Sequence, residues 1–186
     1  MIKVLIASTI NQQPEILAEY LWSLENLIKN NFIFDYCFVD DNKNCLSKDL
    51  LIDFKNRNGN VVILQPIISD ADYIKDENTH HWNEQLIWKV AKNKDKILKY
   101  ALNNEYDYVF LVDSDLVLHP ATLKHLISLK KDIVSEIFWT KWQNNSIELP
   151  QVWISDQYNL FYKYREEKLA NEEIDKRTLE FINKLK

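Results

Sequence analysis

The chain has 186 residues, 46% of them hydrophobic and 27% charged, with a net charge of −5, which fits one folded domain and excludes a disordered chain or a basic nucleic-acid binder. At an average usage of about 7%, roughly a dozen glycines would be expected, yet the chain has one, Gly59. A dinucleotide fingerprint, a Walker loop and a Gly-flanked nucleophile elbow each need more than that, so those chemistries are closed.

Ile2 to Ala7 reads as a buried strand, and Pro14 then opens a helix with Ile16, Leu17, Tyr20, Leu21, Leu24, Leu27 and Ile28 at helical spacing. Ile33 to Val39 is the second strand. Ser47 is placed to cap a helix carrying Leu50, Leu51 and Phe54, with Gly59 where a C-terminal cap belongs. Val61 to Leu64 is a third strand, halted by Pro66. A long helix is expected from about Trp82 to Leu102, a fourth strand over Tyr108 to Val112, a helix from Pro120 to Leu129 and a fifth strand over Ile133 to Phe138. Trp139 to Tyr164 is aromatic-rich and irregular, and Asn171 caps a last amphipathic helix. This βα alternation predicts an α/β, Rossmann-like fold: a mostly parallel sheet with helices on both faces, in a single domain over 1–186.

Cys37 and Cys45 lack the partners of a zinc knuckle or a disulfide framework. No apolar run reaches membrane-spanning length, and Val4 to Ala7 is too short for a signal-peptide core. A soluble, cytoplasmic protein is expected, without nucleic-acid partners.

Ligands of open parallel sheets bind beyond the carboxyl ends of the strands. Strand one ends in Ser8-Thr9, strand two in Asp40-Asp41-Asn42 and strand four in Asp113-Ser114-Asp115, so four carboxylates are expected on one edge. Carboxylates in such loops often cap helices, but Asp113 and Asp115, one on either side of Ser114 on an extended chain, would point the same way and suit a hard divalent ion. A helical wheel centred on Ile87 gathers Val90, Ala91, Ile97, Leu98 and Ala101, with Lys94 inside that stripe and Lys89, Lys92, Lys96 and Lys99 opposite. Lys94 then either snorkels, pairs with a core acid or holds a diphosphate. His80 and Asn83 extend the stripe toward the helix start, where a cap or surface role is the ordinary one for the histidine. The aromatics Phe138, Trp139, Trp142, Trp153 and Tyr158 serve as core or as surfaces for sugar rings.

Ile6-Ala7-Ser8-Thr9 before the Pro14 helix, Phe38-Val39-Asp40-Asp41-Asn42, and Phe110-Leu111-Val112-Asp113-Ser114-Asp115 together resemble the donor-binding part of family 2-like glycosyltransferases of the GT-A fold. The last stretch is similar to their D-x-D signature, and the resemblance spans roughly residues 2 to 165. It implies transfer of a sugar from a nucleoside diphosphate sugar, typically UDP-linked, to an acceptor the sequence does not identify, with Mn²⁺ or Mg²⁺ bound. By resemblance Thr9 lines the nucleoside, Asp41 recognises the base, Lys94 faces the donor, Asp113 lies on the ribose side, Ser114 is donor-binding, and Asp113 with Asp115 holds the metal. Residues 1–142 then form the nucleotide-sugar-binding core, and 143–186 an irregular aromatic segment plus the C-terminal helix. The family's later carboxylate base has no match: Asp156 is a candidate only by elimination, and Glu172-Glu173 read as ordinary charge placement at the start of the last helix, to be reconsidered with Asp156 only if the chain transfers efficiently. The acceptor side is therefore expected to be missing, leaving a donor-binding fragment as the alternative, with an uncovered stripe on the last helix open to homodimer contact. A haloacid-dehalogenase-type phosphohydrolase is a further alternative, but it expects Gly-Thr after the second Asp, where this chain has Leu116-Val117.

Overall fold

The computed structural model describes residues 1–69, 73–75, 80–81, 83–141, 145–152, 154, 159–164 and 166–186. The chain divides into two compact units, Met1–Lys130 and Lys131–Lys186.

In the first unit, β1 (Ile2–Ile10), α1 (Pro14–Glu25), β2 (Phe32–Asp40), α2 (Cys45–Arg57) and β3 (Val61–Leu64) follow in order. The short strands β4 (Ile74–Lys75) and β5 (His80–His81) pair antiparallel, and α3 (Glu84–Asn103), β6 (Tyr108–Leu111) and α4 (Thr122–Ser128) complete the unit. The main sheet has four strands in the order β3-β2-β1-β6, every neighbouring pair parallel. The α/β reading with a parallel sheet is what the chain adopts.

Alternation along β1 and β2 divides the core. Val4, Ile6 and Ile10 with Phe34, Tyr36 and Phe38 pack with Leu17, Tyr20, Leu21 and Leu24 of α1 and with Leu51 and Phe54 of α2. Leu5, Ala7, Cys37 and Val39 pack with Ile97 and Ala101 of α3 on the other face. Val4 through Ala7 are fully buried because helices cover both sides of that strand. Parallel strands joined by helices place all carboxyl ends on one edge, and Thr9 stands beside Val39, with Ala7 beside Leu111.

Several local expectations are corrected. Helix α2 is capped by Asn44, whose side chain accepts from the Leu46 N–H, whereas buried Ser47 donates to the Gln12 carbonyl at 2.7 Å. Its C-cap is Asn58, and the left-handed residue of the following turn is Asn60 (φ 53°), not Gly59. Helix α3 is capped by Asn83 through the Leu86 N–H, and Trp82 lies outside the described residues. Helix α4 starts two residues after Pro120, whose carbonyl accepts from the Ile28 N–H instead.

In the second unit, β7 (Trp139–Thr140) pairs antiparallel with β8 (Leu149–Pro150), and α5 (Asn171–Leu185) follows. Residues 133–138 form no strand, so the expected fifth strand is absent there. Ile133, Val134, Ile137 and Phe138 are all exposed, so among the described residues this run has no covered face of the kind a strand needs. Ala170, not Asn171, occupies the N-cap position of α5.

Candidate functional site

The carboxyl edge of the sheet is built from three loops tied to one another. Asn42, 5% exposed, accepts from the Gln12 N–H through Oδ1 at 2.8 Å and donates through Nδ2 to Asp40 Oδ1 at 2.8 Å. Asp40 is thereby turned to its own loop, an Asx-type arrangement that spends its carboxylate on structure. The Asp41 N–H bonds the Ile10 carbonyl and the Val112 N–H the Ala7 carbonyl, extending the sheet pairing into the loops. Ser8 is buried and its hydroxyl shares a hydrogen bond with the Tyr20 hydroxyl beneath the edge. Burial pushes the Tyr20 hydroxyl well above its ordinary value.

Asp41 meets α3. Its Oδ2 lies 2.7 Å from Lys89 Nζ, with side-chain exposures of 11% and 8% for the two partners. The Lys89 ammonium also lies 5.4 Å from the centre of the Tyr73 ring. Burial, with the Asp41 carboxylate beside it, raises the Tyr73 hydroxyl well above its ordinary value. Below this pair, buried Asn93 accepts from the Ile67 N–H at 2.8 Å and fastens the segment leaving β3.

The wheel expectation for α3 is corrected here. The buried residues are Leu86, Lys89, Asn93, Ile97 and Ala101, while Ile87, Trp88 and Leu98 are exposed. Lys89, placed by the wheel on the far face, is the inward lysine. Centring the wheel on Leu86 would have found it, since Leu86, Lys89, Asn93 and Ile97 repeat at helical spacing. Lys94 is partly exposed, with Nζ 3.7 Å from Asp113 Oδ1.

Asp113 and Asp115 do not lie on an extended chain. The Leu116 N–H returns to the Asp113 carbonyl at 3.4 Å, a turn that sends the two carboxylates to different neighbours. Asp113, largely exposed, faces Lys94. Asp115 lines an open cleft of about 320 Å³ with Asn11, Gln12, Asn44 and Tyr73. Ser114 between them is buried and Thr9 is half-buried beside the same edge. Among the described residues no three His, Cys, Asp or Glu side chains form a set able to hold a metal ion by themselves. Asp115 offers hard carboxylate oxygens at the wall of an open cleft, a donor set that fits a divalent cation whose remaining positions a ligand's oxygens and water would fill.

Of the candidate bases, Asp156 lies outside the described residues. Glu173 is engaged in the second unit, accepting from Arg177 Nε at 2.9 Å, while Glu167 takes Arg177 Nη2 at 2.7 Å. These contacts and the Tyr164 N–H hold the Glu167 carboxyl below its ordinary value. Glu172 is an exposed first-turn residue of α5. The side chain of His80 and the residues Trp142, Trp153 and Tyr158 are not among those described.

A family model for the glycosyltransferase family 25 N-terminal domain matches residues 3–178. No curated protein matches the chain. No helix among the described residues is long and apolar enough to cross a membrane.

Proposed function

The chain belongs to the glycosyltransferase family 25 N-terminal domain family, and we propose that it takes its sugar from a nucleoside diphosphate donor, UDP-linked, held at the carboxyl edge of its parallel sheet. The observation that carries this reading is the position of Asp41, Asp113 and Asp115 beyond the ends of β2 and β6, with Lys94 of α3 beside Asp113 and Asp115 in the wall of the cleft. A glycosyltransferase needs a sugar donor and an acceptor; the proposal concerns the donor.

In this reading Asp41 receives the base, Thr9 and Ser114 line the nucleoside, and Asp113 lies toward the ribose. Lys94 reaches Asp113 in the free protein and turns its ammonium to the diphosphate when donor binds. Its charge offsets the negative charge that grows on the leaving diphosphate, the electrostatic role expected of a fixed cation at such a centre. Asp115 would hold Mn²⁺ or Mg²⁺, which when bound supplies Lewis-acid neutralisation of the same oxygens, whereas Asp113, which the sequence pairs with it, faces Lys94 instead. The Asn42 clamp keeps the β1 and β2 loops in register, so the edge is organised before ligand arrives.

The test is turnover. Incubation with radiolabelled UDP-sugars, Mn²⁺ and a broad acceptor mixture should release UDP and label an acceptor, and Asp115→Ala should abolish both. Equal release by Asp115→Ala would contradict the placement of the site.

A further inference from the structure

The second unit holds a cleft of its own, which the donor reading does not use. Its volume is about 320 Å³, room for one or two sugar rings, and Tyr162, Tyr164, Arg177, Glu180, Phe181 and Lys184 line it. All six lie within Lys131–Lys186. Arg177 fixes the wall. Its guanidinium donates from Nη1 to the Tyr162 carbonyl at 2.8 Å, from Nε to Glu173 at 2.9 Å and from Nη2 to Glu167 at 2.7 Å, which fastens the segment carrying the two tyrosines to α5. Tyr162 and Tyr164 stand edge to face with ring centres 4.8 Å apart, yet they are 53% and 63% exposed. Rings on a tied backbone that stay open to water are apolar surface the fold itself does not cover.

Glu180 and Lys184 follow one turn apart on α5, both exposed beside these rings. Among the described residues neither enters an ion pair, so a carboxylate acceptor and an ammonium donor are both free for a ligand. An anion in the cleft would meet Glu180, and a cation would meet Lys184 and Arg177, so the lining favours neither charge. Two adjacent hydroxyls satisfy both groups, one donating to the carboxylate while its neighbour accepts from the ammonium. We infer that this cleft is a carbohydrate-binding site for an uncharged hexopyranose, with the apolar C–H face of the ring against the Tyr162–Tyr164 pair and two neighbouring hydroxyls on Glu180 and Lys184. Binding there requires neither nucleotide nor metal.

Saturation-transfer NMR and titration of the whole chain with lactose, maltose and the methyl glycosides of glucose, galactose and mannose, without nucleotide or Mn²⁺, test this. At least one of these sugars should bind. Its affinity should fall about tenfold in Tyr164→Ala, which removes the stacking face, and about fivefold or more in Glu180→Gln, which removes a charge-assisted hydrogen bond. Tyr164→Phe keeps the ring and should stay within about twofold of the parent. Glucuronate should bind no more tightly than methyl glucoside, and UDP should not displace the sugar. Both side chains are exposed, so the variants open no cavity, and thermal denaturation confirms that each is folded. Binding of none of the five sugars would overturn the inference, as would unchanged affinity in folded Tyr164→Ala and Glu180→Gln. Tighter binding of glucuronate would make the cleft an anion site instead, and displacement by UDP would place the sugar at the donor edge; either result overturns it.

Discussion

A single ammonium at the sheet edge can be weighed by what it does to one ligand and not to another. Lys94 lies on the solvent side of α3 with Nζ 3.7 Å from Asp113, too long and too exposed a contact to stabilise the fold much. Lys94→Met should therefore leave stability nearly unchanged while weakening UDP binding by roughly 1–3 kcal/mol, the scale of a lost charge-assisted contact. Uridine, which lacks the diphosphate, should bind both proteins alike; equal losses for uridine and UDP would show the lysine acting through structure. A second residue-scale expectation concerns alkali. Burial pushes the Cys37 thiol from 9.0 up to about 12 and the Tyr36 hydroxyl from 10.0 up to about 12. Both groups hold their protons more tightly folded than unfolded, so their contribution is complete below the unfolded values and is lost as pH rises toward the folded ones. Denaturant midpoints should thus hold steady up to about pH 9 and fall steeply between there and pH 12. A midpoint flat through that window would contradict the burial of the two groups. Asp41, Lys94, Asp113 and Asp115 can be picked out in the sequence because each follows an apolar strand or sits on a periodic helix. Lys89 falls on the far face of a wheel centred on Ile87, because Ile87 and Leu98 look like core residues and are exposed; which face is covered depends on the segments that pack against the helix, which periodicity does not carry.

Helix α3 shows at the element scale how a chain with one glycine ends its helices. The Tyr106 N–H returns to the Ala101 carbonyl and the Glu105 N–H to the Leu102 carbonyl, a Schellman arrangement. The left-handed residue such an ending requires is usually glycine, and here it is Glu105 at φ 53°. An L-residue in that region bears a cost of roughly 1–2 kcal/mol, part of which glycine returns as entropy to the unfolded chain. Glu105→Gly should raise stability by about 1 kcal/mol, read as a higher denaturant midpoint at unchanged slope. An unchanged or lower midpoint would show that the turn is not strained. The same scarcity explains why Gly59 misled as a cap. A left-handed glycine is the ordinary signal, and after α2 Asn60 takes that place at φ 53°. The strand expected over 133–138 failed for the reason that limits β propensity generally. It describes fit to a half-buried surface, and Ile133, Val134, Ile137 and Phe138 are exposed instead, with pairing to β8 beginning only at the end of that segment.

For the molecule as a whole, the order of elements was the most legible feature. Strands β1, β2, β3 and β6 and the helices between them follow from alternation of apolar runs with helical periods, and the right-handed crossover rule leaves few ways to wind them. That winding gathers residues as far apart as Thr9 and Asp115 on one edge. Less legible were the loops that finish the edge: the Asn42 clamp, the turn at Asp113 to Leu116 and the approach of Tyr73 depend on side chains meeting across long sequence separations. The family match over residues 3–178 agrees with the element order and with the assignment to glycosyltransferases. We propose that this edge binds a nucleoside diphosphate with a divalent cation held at Asp115. Calorimetric titration of UDP into the protein, with Mn²⁺ and then with chelator, measured again in Asp115→Ala, tests it most directly. Binding by the parent protein should tighten on adding Mn²⁺, and the variant, equally stable without ligand, should lose that tightening. Metal-dependent affinity unchanged in Asp115→Ala would contradict it.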